Sequence, residues 1–181
     1  RTRELLLIIV GSAAAQMASR VVVVHIAPHA TDLGVSSLAA AMSLSIIGFG
    51  SILGRIVMGF IQDRIGARNA MTGCLVVMGV SLLALPLVES DGAFFLFAVL
   101  FGFAFGGDVP QVPALTVHCF GVASMGLIYG LISSTVNVGS AFGPSLAGCL
   151  FDVTGNYTAA FLGAGLLLLF GAFSISRVGR Q

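Results

Sequence analysis

Long apolar runs recur along this chain, and only short polar stretches separate them. A helix needs about 20 mostly apolar residues to cross the hydrocarbon of a bilayer. Six segments meet that requirement, at about 5–27, 36–61, 69–88, 93–117, 125–150 and 157–176. The breaks between them, HATDLG, QDRIGAR, ESDG, HCFGVASMG and FDVTGNY, carry turn and polar chemistry and are short. Short connections make neighbouring helices antiparallel. The chain therefore reads as one six-helix transmembrane bundle over residues 1–181, an all-α polytopic membrane protein. A transmembrane barrel would show alternating segments of roughly ten residues, and these runs are about twice that.

Composition supports the lipid bilayer as the first partner. The 181 residues are 57% hydrophobic and 8% charged, with a mean hydropathy of +1.08. A soluble domain is about 45–50% apolar and about 25% charged. All basic side chains other than histidine are arginine, and no basic run offers a nucleic-acid surface. The first residue is arginine and no signal-peptide pattern opens the chain, so the sequence is expected to be part of a longer one. Cys74, Cys119 and Cys149 are too far apart for metal-ligand spacing and are expected as small core residues. No cofactor is implied.

The flanking charges set an orientation. Arg1 and Arg3 precede the first span, Arg64 and Arg68 lie between the second and third, and Arg177 and Arg180 follow the sixth. With six spans all of these fall on one side. The opposite side carries Asp32, Glu89, Asp91 and Asp152 and no arginine. The positive-inside rule then predicts that both termini and QDRIGAR are cytoplasmic.

Small residues recur at the spacing that lets helices approach closely in lipid: Gly50/Gly54, Gly102/Gly106, Gly126/Gly130 and Gly139/Gly143. The run 48-GFGSILG-54 imitates a dinucleotide fingerprint, but that motif needs a preceding strand in a βαβ unit. Helix packing is the reading we adopt.

Arg20, Arg55 and Asp108 fall inside spans, where each costs about 2.5–3.5 kcal/mol at mid-membrane. Such residues face a wet cavity or a partner. At 1.5 Å per residue Arg55 and Asp108 lie roughly 10 and 13 Å from the cytoplasmic end, level enough to pair, while Arg20 lies about 22 Å in. Two arginines then share one acid, and the surplus charge suits an anion, whose carboxylate matches a guanidinium fork. Polar residues align on helix faces: Ser12, Gln16 and Arg20; Gly48, Ser51 and Arg55; Gly130, Ser133, Ser134, Asn137 and Ser140. Spans one, two, four and five are expected to face a polar cavity, and three and six to face lipid. The stretch 106-GGDVPQVP-113 predicts a broken fourth helix around Asp108. His25 and His29 are expected at the outer interface, and His118 in a loop. An intramembrane hydrolase would need a nucleophile and a base at helix depth; serines abound, but no histidine lies at mid-span, so no catalytic site is assigned.

The stretch 59-GFIQDRIGAR-68 contains Gly59, Asp63, Arg64, Gly66 and Arg68 in the pattern G-x-x-x-D-R-x-G-x-R. This resembles the signature loop of the major facilitator superfamily, found after the second span of each six-helix half. The run 129–161, with GP-x-x-x-G, D-x-T-G-x-Y and a following Phe, is similar to the eleventh and twelfth spans of that superfamily. FG at 120–121 and GR at 54–55 extend the likeness to its oxalate/formate antiporter and monocarboxylate transporter branch.

The resemblance implies a C-terminal half, spans seven to twelve, of a secondary transporter in the plasma (inner) membrane. Its missing partner would be an N-terminal six-helix half. It further implies a small organic anion as substrate, with a proton as candidate co-substrate and symport and antiport both open. Arg55 matches the arginine that engages the substrate carboxylate; Arg20, Gln16, Asn137 and Ser51 join it as candidate substrate-binding residues, and Asp108 as the proton-coupling residue. Ser51 stands where monocarboxylate carriers often have an acid. Asn137 lies on the polar face of the span in which oxalate/formate carriers use a lysine, which favours a monoanion. Gly59 and Gly66 are expected to give close packing and a tight turn, Asp63 to cap or pair at the gate, and Arg64 and Arg68 to fix topology. A drug, sugar or nitrate carrier of the same fold, or a non-transporting half, remains the alternative.

Overall fold

The computed structural model describes residues 2–32, 34, 36–88 and 90–179. Arg1, Arg180 and Glu89, three of the residues used to orient the chain, lie outside the described residues, as does the side chain of Asp32. Among the described residues there are seven α-helices and no strand. They are α1 (Thr2–Asp32), α2 (Ser37–Ile65), α3 (Ala67–Ala84), α4 (Asp91–Asp108), α5 (Gln111–Phe120), α6 (Met125–Thr154) and α7 (Thr158–Ser176). Six segments are long and apolar enough to cross a bilayer; α4 and α5 together form the fourth, Asp91–Phe120.

The helices overrun the apolar runs that nucleate them. The 30 residues of α6 span about 45 Å, against about 30 Å of hydrocarbon. Membrane thickness limits the apolar run but not the helix, so polar flanks continue it. This revises the reading of QDRIGAR as a loop. Gln62, Asp63, Arg64 and Ile65 complete α2, and α3 starts at Ala67. The whole connection is Gly66, at φ +82°, a conformation that a side chain would strain.

The break in the fourth span falls at Val109–Pro110. Pro110 has no N–H to give the Gly106 carbonyl, and the Val109 N–H reaches it instead at 3.3 Å. α6 passes through Pro144 without interruption.

α2 packs along α4 with backbones in contact. A Cβ at Gly102 would lie 2.6 Å from the Ile47 carbonyl oxygen, and one at Gly106 or Gly54 would run into the carbonyl oxygen of Ser51 or Phe103. The other two glycine pairs behave differently. Gly126, Gly130 and Gly139 have no atom within 4 Å of such a Cβ, and Gly143 alone meets α1, at the Met17 carbonyl oxygen (2.8 Å). Gly59 is also open, so it does not provide the close packing expected of it in this bundle.

α7 is the main departure from the polarity reading. It packs against both α1 and α3, burying Phe161, Leu168 and Ile175 while Leu162, Leu166, Phe170 and Phe173 point outward. Its sequence is apolar on every side, so polarity carried no information about which face would be covered. Cys74 is buried as expected, but Cys119 is half-buried and Cys149 exposed.

The start of α1, the α2–α3 turn and the end of α7 gather at one end of the bundle. The Arg68 guanidinium donates to the Val178 carbonyl (Nη1, 3.0 Å), and the Gly179 N–H donates to the Glu4 carboxylate (2.9 Å). Arg3, Arg64, Arg68 and Arg177 therefore share that end.

Candidate transport site

The polar stripes of α1 and α6 face one another across the α4–α5 break. α1 contributes Ser12 and Gln16, α6 contributes Tyr129, Ser133 and Asn137, and the break contributes Val109 and Val112. Together they line a cavity of about 140 Å³. The i, i+4 spacing of Ser12 and Gln16, and of Ser133 and Asn137, puts each pair on one helix face. Asn137 is oriented by a bond from its Nδ2 to the Ser133 carbonyl (2.8 Å), which leaves its side-chain Oδ1 uncommitted among the described residues on an exposed side chain. Ser12 Oγ is buried and has no partner among the described residues. Buried hydroxyls are ordinarily paired, so this one is available to a molecule in the cavity.

The other expected substrate residues lie elsewhere. Arg20 and Arg55 are exposed on α1 and α2 and do not line this cavity. Ser51 is buried in the α2–α4 contact, its hydroxyl donating to the Gly48 carbonyl (2.8 Å). Arg55 and Asp108 do not pair: Asp108 is 3% exposed, its Oδ1 has no hydrogen-bond partner among the described residues, and Arg55 is exposed. Equal depth did not bring them together, because depth fixes the level of a side chain and not its direction around the helix.

Two residues not singled out as site residues emerge beside them. Ser12 appeared only as part of a polar stripe. Gln111, fully buried, was hidden between the two prolines of VPQVP. The available signal was a lone carboxamide in an apolar, proline-flanked break.

At the arginine-bearing end a larger cavity, about 370 Å³, is lined by Gln62, Asp63, Arg68, Asn69 and His118 among others. Asp63 and Arg64 are exposed, and the N-terminus of α3 has no side-chain cap, so Asp63 does not cap it. His118 belongs to the last turn of α5 rather than to a loop. At the opposite end His25 and His29 turn inward rather than toward an interface. His25 Nε2 bonds the Pro144 carbonyl oxygen (3.1 Å) and its ring lies 4.9 Å from that of Tyr157; His29 is buried against Phe161.

Comparison with known proteins gives this geometry its family. Monocarboxylate transporter 13 of Rattus norvegicus is 34% identical over 151 residues, which are 82% of this chain and 35% of that protein. Monocarboxylate transporter 12 of Homo sapiens is 33% identical over 153 residues, 82% of this chain and 30% of that protein. Monocarboxylate transporter 11 of Homo sapiens is 32% identical over 159 residues, 83% and 34% of the two chains. The chain thus spans about a third of the length of the curated relatives it matches. These relatives are named as transporters and not as enzymes. The Major Facilitator Superfamily model matches residues 6–178, nearly the whole six-span bundle, and the chain belongs to that superfamily.

Proposed function

We propose that this chain is the C-terminal half of a secondary transporter that moves small monocarboxylate-like anions. It would work by alternating access against a second six-helix half. The observation that carries the reading is uncompensated positive charge. Arg20 and Arg55 sit on membrane helices, exposed, while the mid-span acid Asp108 is buried in another contact. A guanidinium held in a span costs several kcal/mol unless a partner or wet cavity meets it, and a carboxylate accepts its fork bidentately. Arg55 is the primary anion contact, Arg20 the second. Gln16 and Asn137 supply neutral hydrogen bonds from the cavity, and Ser51 shapes α2 from within its seam. Asp108 is the proton-coupling residue.

Gly59, Asp63, Arg64, Gly66 and Arg68 form the gate-side element. The open Gly59 and the exposed Asp63 face the partner half. The shared end of Arg3, Arg64, Arg68 and Arg177 supports cytoplasmic termini in a plasma or inner membrane. The names of the relatives support the substrate class.

The test is uptake of radiolabelled lactate and pyruvate by the full-length transporter in proteoliposomes. Arg55→Ala is expected to lower uptake about tenfold or more, the loss of one charge-assisted guanidinium–carboxylate contact, with the protein still inserted. Full uptake by the variant would overturn the role of Arg55. If no carboxylate competes for transport while a neutral solute or nitrate does, the substrate class is wrong.

A further inference from the structure

Behind the cavity wall lies a second polar locus. Val109 and Val112 line the 140 Å³ cavity; the residues immediately before them, Asp108 and Gln111, are not part of its lining and are buried. Four helices meet there. A Cβ on Gly107 of α4 would lie 2.6 Å from Met58 Cγ on α2 and 3.0 Å from Cys74 Sγ on α3. Gln111 opens α5, and its Nε2 donates to the Gly107 carbonyl at 3.0 Å and to the Met58 carbonyl at 3.4 Å. The carboxamide therefore folds back to within one residue of Asp108.

Both of its donor contacts are made, so its orientation is fixed and Oε1 is the free atom. That Oε1 and Oδ1 of Asp108 are both buried and accept no hydrogen bond from the described residues. Two buried acceptors in one four-helix junction, neither with a donor among the described residues, is an arrangement proteins avoid. The Cys74 thiol, beside Gly107, is the nearest titratable neighbour that these contacts bring to the junction. Arg55 of α2 is exposed, and among the described residues no cation pairs with the carboxylate.

We propose that Gln111 completes a proton site: one proton, held on Asp108 Oδ1 and donated to Gln111 Oε1, satisfies both atoms at once. This rests on the transport reading above and names the second residue of its coupling site. A metal cation would need several more oxygens than these two, and the sulfur beside them is a poor ligand for sodium. Gln111 is a positioning residue with a second role. Through Met58 it ties the protonated carboxyl to α2, one helical turn from Arg55. When the proton leaves, Oδ1 of Asp108 carries charge without a donor, and the Gln111–Met58 link, the longer of the two, is the one that can give. Proton loss and a shift of α2 under the anion-binding arginine are then one event.

The test is infrared difference spectroscopy of the full-length transporter in proteoliposomes between acid and alkaline pH, with lactate uptake measured on the same samples. A carboxylic-acid carbonyl band should titrate in the wild type and vanish in Asp108→Asn. In Gln111→Met, which keeps the side-chain length, the band should persist, move in frequency as its hydrogen bond is lost, and titrate at about tenfold higher proton concentration. The pH profile of uptake should shift with it. If the wild type shows no band removed by Asp108→Asn at any pH where it stays folded, or if Gln111→Met leaves band and profile unmoved, the proposal is overturned. The band needs no substrate. A chain that shows it but carries no lactate keeps the proton site and loses only the substrate reading.

Discussion

α2 and α6 carry glycines at the same spacing and turn them in opposite directions. On α2, Gly50 and Gly54 meet the α4 backbone, with Gly102 and Gly106 answering from the other side. On α6, Gly126, Gly130 and Gly139 meet nothing, and its polar stripe borders a cavity instead of a seam. Close packing in lipid comes from van der Waals contact between backbones rather than from a hydrophobic drive. The first arrangement therefore binds two helices into a rigid pair. The second leaves three glycines of α6 open, while the helix is held against α1 elsewhere, where Gly143 meets the Met17 carbonyl oxygen. One spacing serves as glue in one place and leaves an open flank in the other.

The sharpest way to break this comparison is to fill the seam. Gly106→Leu places a side chain where the Ser51 backbone already lies, and overpacking of this kind costs about 1–3 kcal/mol and at times more. The expected result is loss of monodisperse protein in size-exclusion chromatography after detergent extraction. A variant as stable as the wild type would mean the seam is not backbone-tight. A smaller effect is expected at the cavity. Asn137→Leu should leave thermal stability unchanged and weaken substrate affinity about tenfold, the worth of roughly one good hydrogen bond. Ser51→Ala, inside the seam, should leave affinity untouched. If Ser51→Ala weakens substrate binding and Asn137→Leu does not, the two surfaces have been assigned the wrong way round. The smallest effect belongs to the open flank: Gly130→Ala meets no atom and should stabilise α6 by up to about 1 kcal/mol through helix propensity, read as a modest rise in Tm.

Much of this architecture was legible in the sequence because hydrophobic length and charge placement are one-dimensional quantities. The six spans, the break around Asp108 and the arginine-bearing end follow from residue order alone. What was not legible is direction. The level of Arg55 and Asp108 could be counted, but whether they face one another depends on which helix covers each face. α7 shows the same limit in an apolar helix, where Leu162 and Leu168 are equivalent in composition and opposite in exposure. Gln111 was missed for a related reason: its significance lies in a carbonyl contributed by Met58, far away in sequence. The Ser12–Gln16 and Ser133–Asn137 pairs were readable as stripes, and only packing showed that the stripes meet.

The single-residue turn at Gly66 has a mechanical consequence. A connection of one residue has no slack, so a tilt of α2 is passed to α3 at full amplitude instead of being absorbed in a loop. The bond from Arg68, two residues on, to the Val178 carbonyl carries the displacement to the end of α7, and Glu4 passes it to the start of α1. At this end the bundle behaves as a clamped plate. A movement begun beneath Arg55 cannot stay local, and the four helices that meet there must swing together.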